Sequence, residues 1–371
     1  MKRVKINPRL DYKQKIQDLG FNFDDNYWLE NAYYEFTEEE ILEIELASNS
    51  CHEMYIEATE HVIKNNLWSK LHIPLNLVPK IIESWEYDQL SLYGRFDFVL
   101  VNGIPKLLEF NADTPTSLLE ASIIQWHWKE EVLKVKDQFN SIDEALIQSF
   151  KDIADEYQIN ADEEYLDFGC IMDNLEDAST TSYLCSCAAG AGISTTIFDI
   201  SQMTWDGEFH CTPSGEQSKL MFKLYPWEWM MNEEGQETLE TTQTVFIEPF
   251  WKAIWSNKYM LVILSELFPN SPYILKATDI NPSWNHCKKP IFSREGANVT
   301  LVKDGKTIDE TNGEYGEEGY IYQELVDIPC FDGMYPVLGS WIVGGESCGL
   351  GIRENETRIT NNMSYFVPHV F

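Results

Sequence analysis

Residues 92–111 constrain this chain more tightly than any other stretch. The runs LYGRFDFVLV and IPKLLEFN flank Asn102-Gly103, two short apolar segments around a dipeptide that favours a hairpin turn. Arg95 and Asp97 stand two apart on the first run, Glu109 and Asn111 two apart on the second. Each polar pair therefore faces one side of its strand. Register decides whether the two pairs meet. A two-residue turn pairs Val101 with Ile104 and sends the pairs to opposite faces. A three-residue loop with Gly103 in the left-handed region moves the register by one. Asp97 then opposes Glu109, and Arg95 opposes Asn111. Phe96, Phe98, Leu100, Leu108 and Phe110 gather on the other face, so the hydrophobic pattern selects this second arrangement.

Two opposed carboxylates lie about 4.5–5.5 Å apart at Cβ and repel unless positive charge stands between them. Arg95 supplies one charge. Two settings supply the rest. One is a hard divalent cation such as Mg²⁺, for which Asp97, Glu109 and Asn111 are all oxygen donors. The other is a cross-strand arginine–carboxylate network on an exposed sheet face. Thr114-Pro115 reads as the cap and first position of a helix running through Trp128, whose free N–H groups would suit an anion. A metal beside an anion site is equipment for phosphoryl chemistry. Basic residues in apolar surroundings then stand out, namely Lys258, Lys289, Arg294 and Arg353, although each taken singly is an ordinary surface charge. The sequence has no GxxxxGK[ST] and no GxGxxG, which sets aside P-loop and Rossmann sites.

The remaining pattern is mixed α/β with several lobes. Thr37 and Glu40 make a capping box. Behind it Ile41, Ile44, Ala47, Cys51, Tyr55, Ala58 and Val62 recur at spacings of three and four, one face of a long helix. Ser141 to Glu144 opens another helix in the same way. EYLDFGCIM, DASTTSYLCSCAAG and STTIFDI read as strand, helix, strand, a βαβ unit. Segment 301–318 is polar and turn-rich and reads as a surface loop. From Gly319 onward short strands alternate with glycines.

Charge narrows the function. The 27 Lys and Arg against 61 Asp and Glu leave −34, which argues against nucleic acid and against an anionic membrane surface. Such a balance gives solubility, or a field that draws cationic substrates. Eight cysteines without CxxC and seven histidines without HExxH indicate reduced thiols in a cytoplasmic protein, with neither a disulfide framework nor a zinc site. The N-terminus lacks the apolar segment of a secretory signal. The longest apolar run, Tyr259 to Phe268, is too short to span a bilayer.

Several uncommon blocks together resemble the glutathionylspermidine synthase family, ATP-grasp carboxylate–amine ligases. They are YGRFDF (93–98), LLEFNADTPTS (107–117), LYPWEWM (224–230), EPFWKAIWSNK (248–258), KPIFSREGANV (289–299), YIYQEL (320–325) and WIVGGESCGLGIRE (341–354). The resemblance implies one synthase unit over 1–371. It has a mainly helical segment at 1–90, the hairpin and βαβ substrate lobe at 91–250, and an ATP-grasp lobe at 251–371 with a lid near 289–300. The amidase domain fused to some members is expected to be absent.

The implied reaction uses ATP and Mg²⁺, two ions by the family pattern. ATP phosphorylates a carboxylate, and an amine attacks the acyl phosphate to give an amide. Asp97, Glu109 and Asn111 would hold the metal. Arg95 and Arg353 would stabilise charge on the transferring group. Lys258 and Lys289 would hold phosphates, and Gly296 lies in the loop that closes over them. Gln323, Glu324 and Leu325 would read adenine through backbone groups, their side chains having no required part. Thr114 would meet the acid substrate, and Glu176 and Asp177 match an acidic contact loosely. Trp227 and Glu228 belong to a matching block without an assigned role. The implied substrates are small molecules: glutathione or a related peptide as acid, and spermidine, another polyamine or an amino compound as amine. A nucleotide-binding pseudoenzyme and an acyl-phosphate-forming phosphotransferase are the competing classes. Retention of both carboxylates and their arginine disfavours the first, and an amide product would exclude the second.

Overall fold

The computed structural model describes residues 1–22, 27–159, 165–361 and 364–371. Its long helix α1, Glu38–Asn65, begins at the expected capping box: Thr37 accepts from the Glu40 N–H, and the Glu40 side chain accepts from the Thr37 N–H. The seven apolar positions read from its periodicity are all buried. They pack on an antiparallel five-stranded sheet that carries the hairpin. The hairpin strands are β1, Tyr93–Val101, and β2, Ile104–Asn111. β1 also pairs with β3, Tyr335–Val343. β3 pairs with β4, Glu346–Asn355, which pairs with β5, Tyr365–Val367. The hairpin therefore shares a sheet with the end of the chain, and segments far apart in sequence interleave in one layer. Tyr55 of α1 lies against Phe96 and Phe110, whose rings stack with centroids 3.8 Å apart.

The hairpin reaches the expected pairing by a different route. Asp97 opposes Glu109 and Arg95 opposes Asn111, but Val101 also opposes Ile104. The turn is thus the two-residue kind, with Asn102 at φ 52° and Gly103 at φ 81°, as Asn-Gly favours. The register shift comes from a bulge in β2, where the pairing jumps from Asp97–Glu109 to Phe98–Leu107. The residue left over is Leu108. Leu107, not Leu108, joins the buried face, and Leu108 lines the cleft on the other side.

The expected βαβ unit forms. Tyr165–Cys170, helix Leu175–Gly190 and Ser194–Asp199 build a parallel pair, extended by Leu220–Leu224 and Val245–Ile247 into a four-stranded parallel sheet. A third sheet is antiparallel, in the order Ala277–Thr278, Tyr320–Glu324, His286–Pro290, Thr300–Lys303 and Lys306–Glu310. Its last two strands correct the surface-loop reading of 301–318. Asp304-Gly305, both with positive φ, make a hairpin turn between β-branched residues.

Two helix starts also differ from expectation. Helix Ile142–Glu156 begins where expected, but the Ser141 side chain makes no cap bond. Thr114-Pro115 does not open a helix, because helical structure begins at Leu118. The connection at 112–117 stays irregular because its polar groups bond elsewhere. The Ala112 carbonyl accepts from Lys252, the Thr116 carbonyl accepts from Arg95, and the Asp113 carboxylate accepts from Lys223 and Trp227. The helix start expected at Thr114-Pro115 to hold an anion therefore does not form. Among the described residues no helix is long and apolar enough to cross a membrane, and the eight cysteines form no disulfide.

Candidate active site

The three sheets converge on a cavity of about 640 Å³. The five-stranded sheet contributes the polar face of the hairpin. The parallel sheet contributes the loops after Cys170 and Leu224, the carboxyl ends where such sheets bind ligands. The third sheet contributes Lys289 and the edge at 323–325. Arg95, Asp97, Glu109, Asn111, Thr114, Lys258, Lys289, Gly296, Gln323, Glu324, Leu325 and Arg353 all line this one cavity, although they span 259 positions of sequence from 95 to 353.

Asp97 is the electrostatic centre of the hairpin face. Its Oδ1 accepts from Arg95 Nε at 2.7 Å, and its Oδ2 accepts from Arg95 Nη2, Arg353 Nη2 and Asn111 Nδ2 at 3.1, 3.0 and 3.3 Å. Arg95 lies across Gly339, where a Cβ would come within 2.8 Å of its Cδ, and stands 5.7 Å from the Trp341 ring. Glu109 pairs through Oε2 with Lys258 at 3.3 Å. Burial disfavours the charged form of Glu109. Lys258 and Lys289 outweigh burial and hold the carboxyl down at about 2.

Protein cations thus lie against both carboxylates, but on a buried face rather than an exposed one, with Arg95 and Asp97 5% and 3% exposed. Among the described residues no group of three or more His, Cys, Asp or Glu gathers as a metal site. The set here is two carboxylates and an amide. Its chemistry still fits a hard cation: Glu109 keeps 30% of its side chain exposed. Asn111 turns Nδ2 toward Asp97, which leaves its carbonyl oxygen as a donor to metal.

The bulge in β2 has a second consequence. It turns the Leu108 carbonyl to Lys289, whose Nζ donates to it at 2.8 Å and to Gln323 Oε1 at 2.8 Å. Gln323 Nε2 donates in turn to the Leu107 carbonyl. The Gln323 side chain therefore does have a task, which is to fix the cleft lysine. The N–H groups of Glu324 and Leu325 donate to the carbonyls of Lys276 and Asn285. The loop at 291–298 lies down over the cavity. Lys258 Nζ donates to the Ser293 carbonyl at 2.6 Å. Arg294 Nη1 donates to Thr114 Oγ1 at 2.7 Å, and its Nε and Nη2 meet Glu228 Oε1 at 3.1 Å. Gly296, at φ 67°, presses so close to Thr360 that a Cβ would stand 2.4 Å from its carbonyl oxygen.

One corner of the cavity is acidic, lined by Asp173, Glu176 and Asp177. Asn174 caps the helix there through the N–H groups of Glu176 and Asp177. Burial, with Glu176 adding to it, pushes the Asp177 carboxyl up to about 7 against the pull of Arg294. Behind this corner Glu120 is 1% exposed, and its Oε1 has no partner among the described residues. Burial and then Glu176 push it up to about 8.

Sequence reasoning missed Glu120 and two buried ion pairs. Lys223 pairs with Asp113 at 2.9 Å. Lys252 pairs with Glu248 at 3.3 Å, while Glu248 accepts from the N–H groups of Leu92 and Tyr93. Signals existed for both pairs. Lys223 is a charge inside the strand LMFKL, and Glu248 precedes Lys252 by four among aromatic residues. Trp227 proves to be core, stacked on Phe250 with centroids 4.5 Å apart.

The mixed α/β fold with a charged cleft between its sheets is of the ATP-grasp type, and the relatives this chain matches, all named as carbon–nitrogen ligases, place it in that class. The chain belongs to the glutathionylspermidine synthase preATP-grasp family, which it matches over residues 3–371. It is 37% identical over 399 residues to a Haemophilus influenzae protein provisionally named acid–amine ligase, covering 100% of both chains. It is 29% identical to the trypanothione synthetase of Crithidia fasciculata over 90% of this chain and 56% of that one. To the bifunctional glutathionylspermidine synthetase/amidase of Escherichia coli it is 26% identical, over 97% of this chain and 62% of that one. The chain therefore spans little more than half the length of the last two. A glutathione synthetase-like effector from Globodera pallida has a similar fold, with TM-score 0.63 at 10% identity, covering 97% of this chain and 95% of that one.

Proposed function

We propose that this protein joins a carboxylate to an amine at the expense of ATP, through an acyl phosphate. The observation that carries the reading is the convergence of Arg95, Arg353, Lys258 and Lys289 on the Asp97–Glu109 pair within one 640 Å³ cavity. That is cationic holding power for a polyphosphate at an oxygen-donor site. Adenine fits the edge at 323–325. There the N–H groups of Glu324 and Leu325 are already engaged, so the base would be read through carbonyl oxygens, which suits an exocyclic amino group. Lys258 and Lys289 would bind phosphate oxygens as compact cations. Arg95 and Arg353, fixed by Asp97, would face the charge that grows as the phosphoryl group moves. Thr114, whose hydroxyl accepts from Arg294, keeps its own proton to donate to the acid substrate.

Asp97, Glu109 and Asn111 would hold Mg²⁺, which when bound supplies charge neutralisation and orientation for the phosphates. The reaction needs no protein nucleophile, since positioning and electrostatics suffice. The acid substrate is a peptide such as glutathione, and the amine is a polyamine or amino compound. The test is ADP release with Mg²⁺ATP, glutathione and spermidine, each omitted in turn, with the product read by mass. Release that needs all three and yields the condensed mass supports the reading. Release without an amide would replace it with phosphotransfer, and absence of release across a broad acid–amine screen would favour the pseudoenzyme.

The acidic corner suits the cationic amine, and this gives a pH signature. Asp177, raised to about 7, is mostly neutral at pH 6 and mostly charged at pH 8, while an aliphatic amine stays protonated throughout. The KM for spermidine should fall by about tenfold across that interval as the carboxylate fills. Asp177→Asn should flatten the slope and leave the KM high at both ends. An unchanged slope in the variant would remove Asp177 from amine binding.

A further inference from the structure

Two neighbouring strands of the parallel sheet, Tyr165–Cys170 and Leu220–Leu224, end at the main cavity with Cys170 opposite Leu224. The segments that leave them therefore run side by side. One carries Tyr225 and Trp229, which both line the cavity. Trp229 contrasts with Trp227 on the same short helix. Trp227 is fully buried, whereas Trp229 keeps 42% of its surface exposed. Tyr225 meets Trp229 nearly at right angles, with 74° between the planes and 5.6 Å between centroids, so the two rings form an open corner. The Tyr225 hydroxyl donates to Glu233 at 2.8 Å, which fixes that wall. The other segment carries Asp173, Glu176 and Asp177, cavity-lining carboxyls that make no ion pair among the described residues.

The aromatic corner already takes one cation. The Arg294 guanidinium stands 5.5 Å from the Trp229 ring centre. Glu228 balances its charge, and Glu228 and Thr114 take its N–H groups. Aromatic faces beside carboxyls recognise an alkylammonium: the rings attract the charge and cover the methylenes, and carboxylate oxygens accept the N–H groups. A neutral group in the same place gains only the apolar part. We infer that this corner holds the distal ammonium of the amine substrate, and that Trp229 makes the protein select diamines and polyamines over amines of a single charge. The inference rests on the ligase reading above and narrows its amine. The reacting nitrogen is the one at the other end of the chain, so the ammonium held here keeps its proton throughout.

Calorimetry on the whole protein with two probes tests it. Cadaverine is a five-carbon diamine, and in aminopentanol a hydroxyl replaces one of its ammonium groups at nearly the same length. The wild type should bind cadaverine the more tightly. Trp229→Leu should weaken cadaverine by about tenfold, within the range of a partly desolvated cation–π contact, and change aminopentanol by less than about twofold. Trp229→Phe, which keeps an aromatic face, should retain most of the cadaverine affinity. Neither substitution alters the charge of the protein, so general attraction to a chain of net charge −34 cancels between variants. Equal weakening of both probes would overturn the inference, because Trp229 would then act only as packing or as a seat for the Arg294 loop. Unchanged cadaverine affinity in the leucine variant would overturn it too, as would a wild type that binds both probes alike. These outcomes are read without turnover. Failure of the ligase reading shows separately, as absence of ADP release, and would leave a cation site whose ligand is no substrate.

Discussion

Glu109→Gln should lower ATP turnover by at least about 10²–10³-fold, the scale on which removing one preorganised charge contact slows a reaction. The variant should still fold. Glu109 lies at the cleft with 30% of its side chain exposed, so glutamine can hydrogen-bond there at a stability cost of about 1–2 kcal/mol. Lys258 loses its carboxylate but keeps the Ser293 carbonyl. ADP release beside a thermal melt checks both halves. Near-normal turnover would take Glu109 out of the reaction, and with it the metal assignment. Asp97→Asn is a poorer probe of the same idea. Asp97 neutralises Arg95, which is 5% exposed, and also binds Arg353. Removing its charge leaves a buried guanidinium uncompensated, so lost activity there would mix chemistry with instability.

The contrast between these two carboxylates marks how much of the site was legible in the sequence. Alternation in 93–98 and 107–111 identified the polar face, because a period of two is local information. The demand that Phe96 and Phe110 share a face fixed the cross-strand partners. The device that achieves this register was not legible. Asn-Gly favours its own two-residue turn, and the extra residue went into a bulge at Leu108 that no local pattern announces. Its orientation is secured by Lys289 and Gln323, roughly 180 and 215 positions away. The same limit applies to the cations. Asp97 and Glu109 could be seen to need positive charge, but which arginine or lysine supplies it depends on the sheets being brought together. The helix misread at Thr114-Pro115 has a like cause. Cap and proline signals were present, and tertiary partners drew the backbone groups of 112–116 away from helical bonding. Long-range electrostatics likewise made Glu120 invisible, as an ordinary glutamate in an amphipathic segment.

Asp113→Asn should cost about 3–5 kcal/mol, the penalty for breaking a buried ion pair from one side. Asp113 is 1% exposed, and the Lys223 side chain is fully buried. The Asp113 carboxylate accepts from Lys223 Nζ at 2.9 Å and from the Trp227 N–H at 2.7 Å. An asparagine amide offers its one oxygen to one of these two donors, and its NH₂ then faces the other. Burial already pulls the Lys223 ammonium below its usual range, with Asp113 pulling the other way. In the variant Lys223 can shed its proton, which caps the loss. Denaturant unfolding measures the effect, and a loss below about 1 kcal/mol, the scale of an exposed pair, would show that the pair is not sustaining the fold. The double replacement Asp113→Leu with Lys223→Met separates stability from function. Apolar residues of similar volume recover most or all of the stability of such pairs. They do not recover the hydrogen bond to Trp227, which ties the connection after β2 to the WEWM segment and so sets Thr114 opposite Arg294 and Glu228. The double variant should therefore fold like the parent and still show a raised KM for the acid substrate. Recovery of stability and KM together would mean that the pair only fills space. Recovery of stability alone would make it the brace that carries the hairpin's geometry into the substrate end of the cleft.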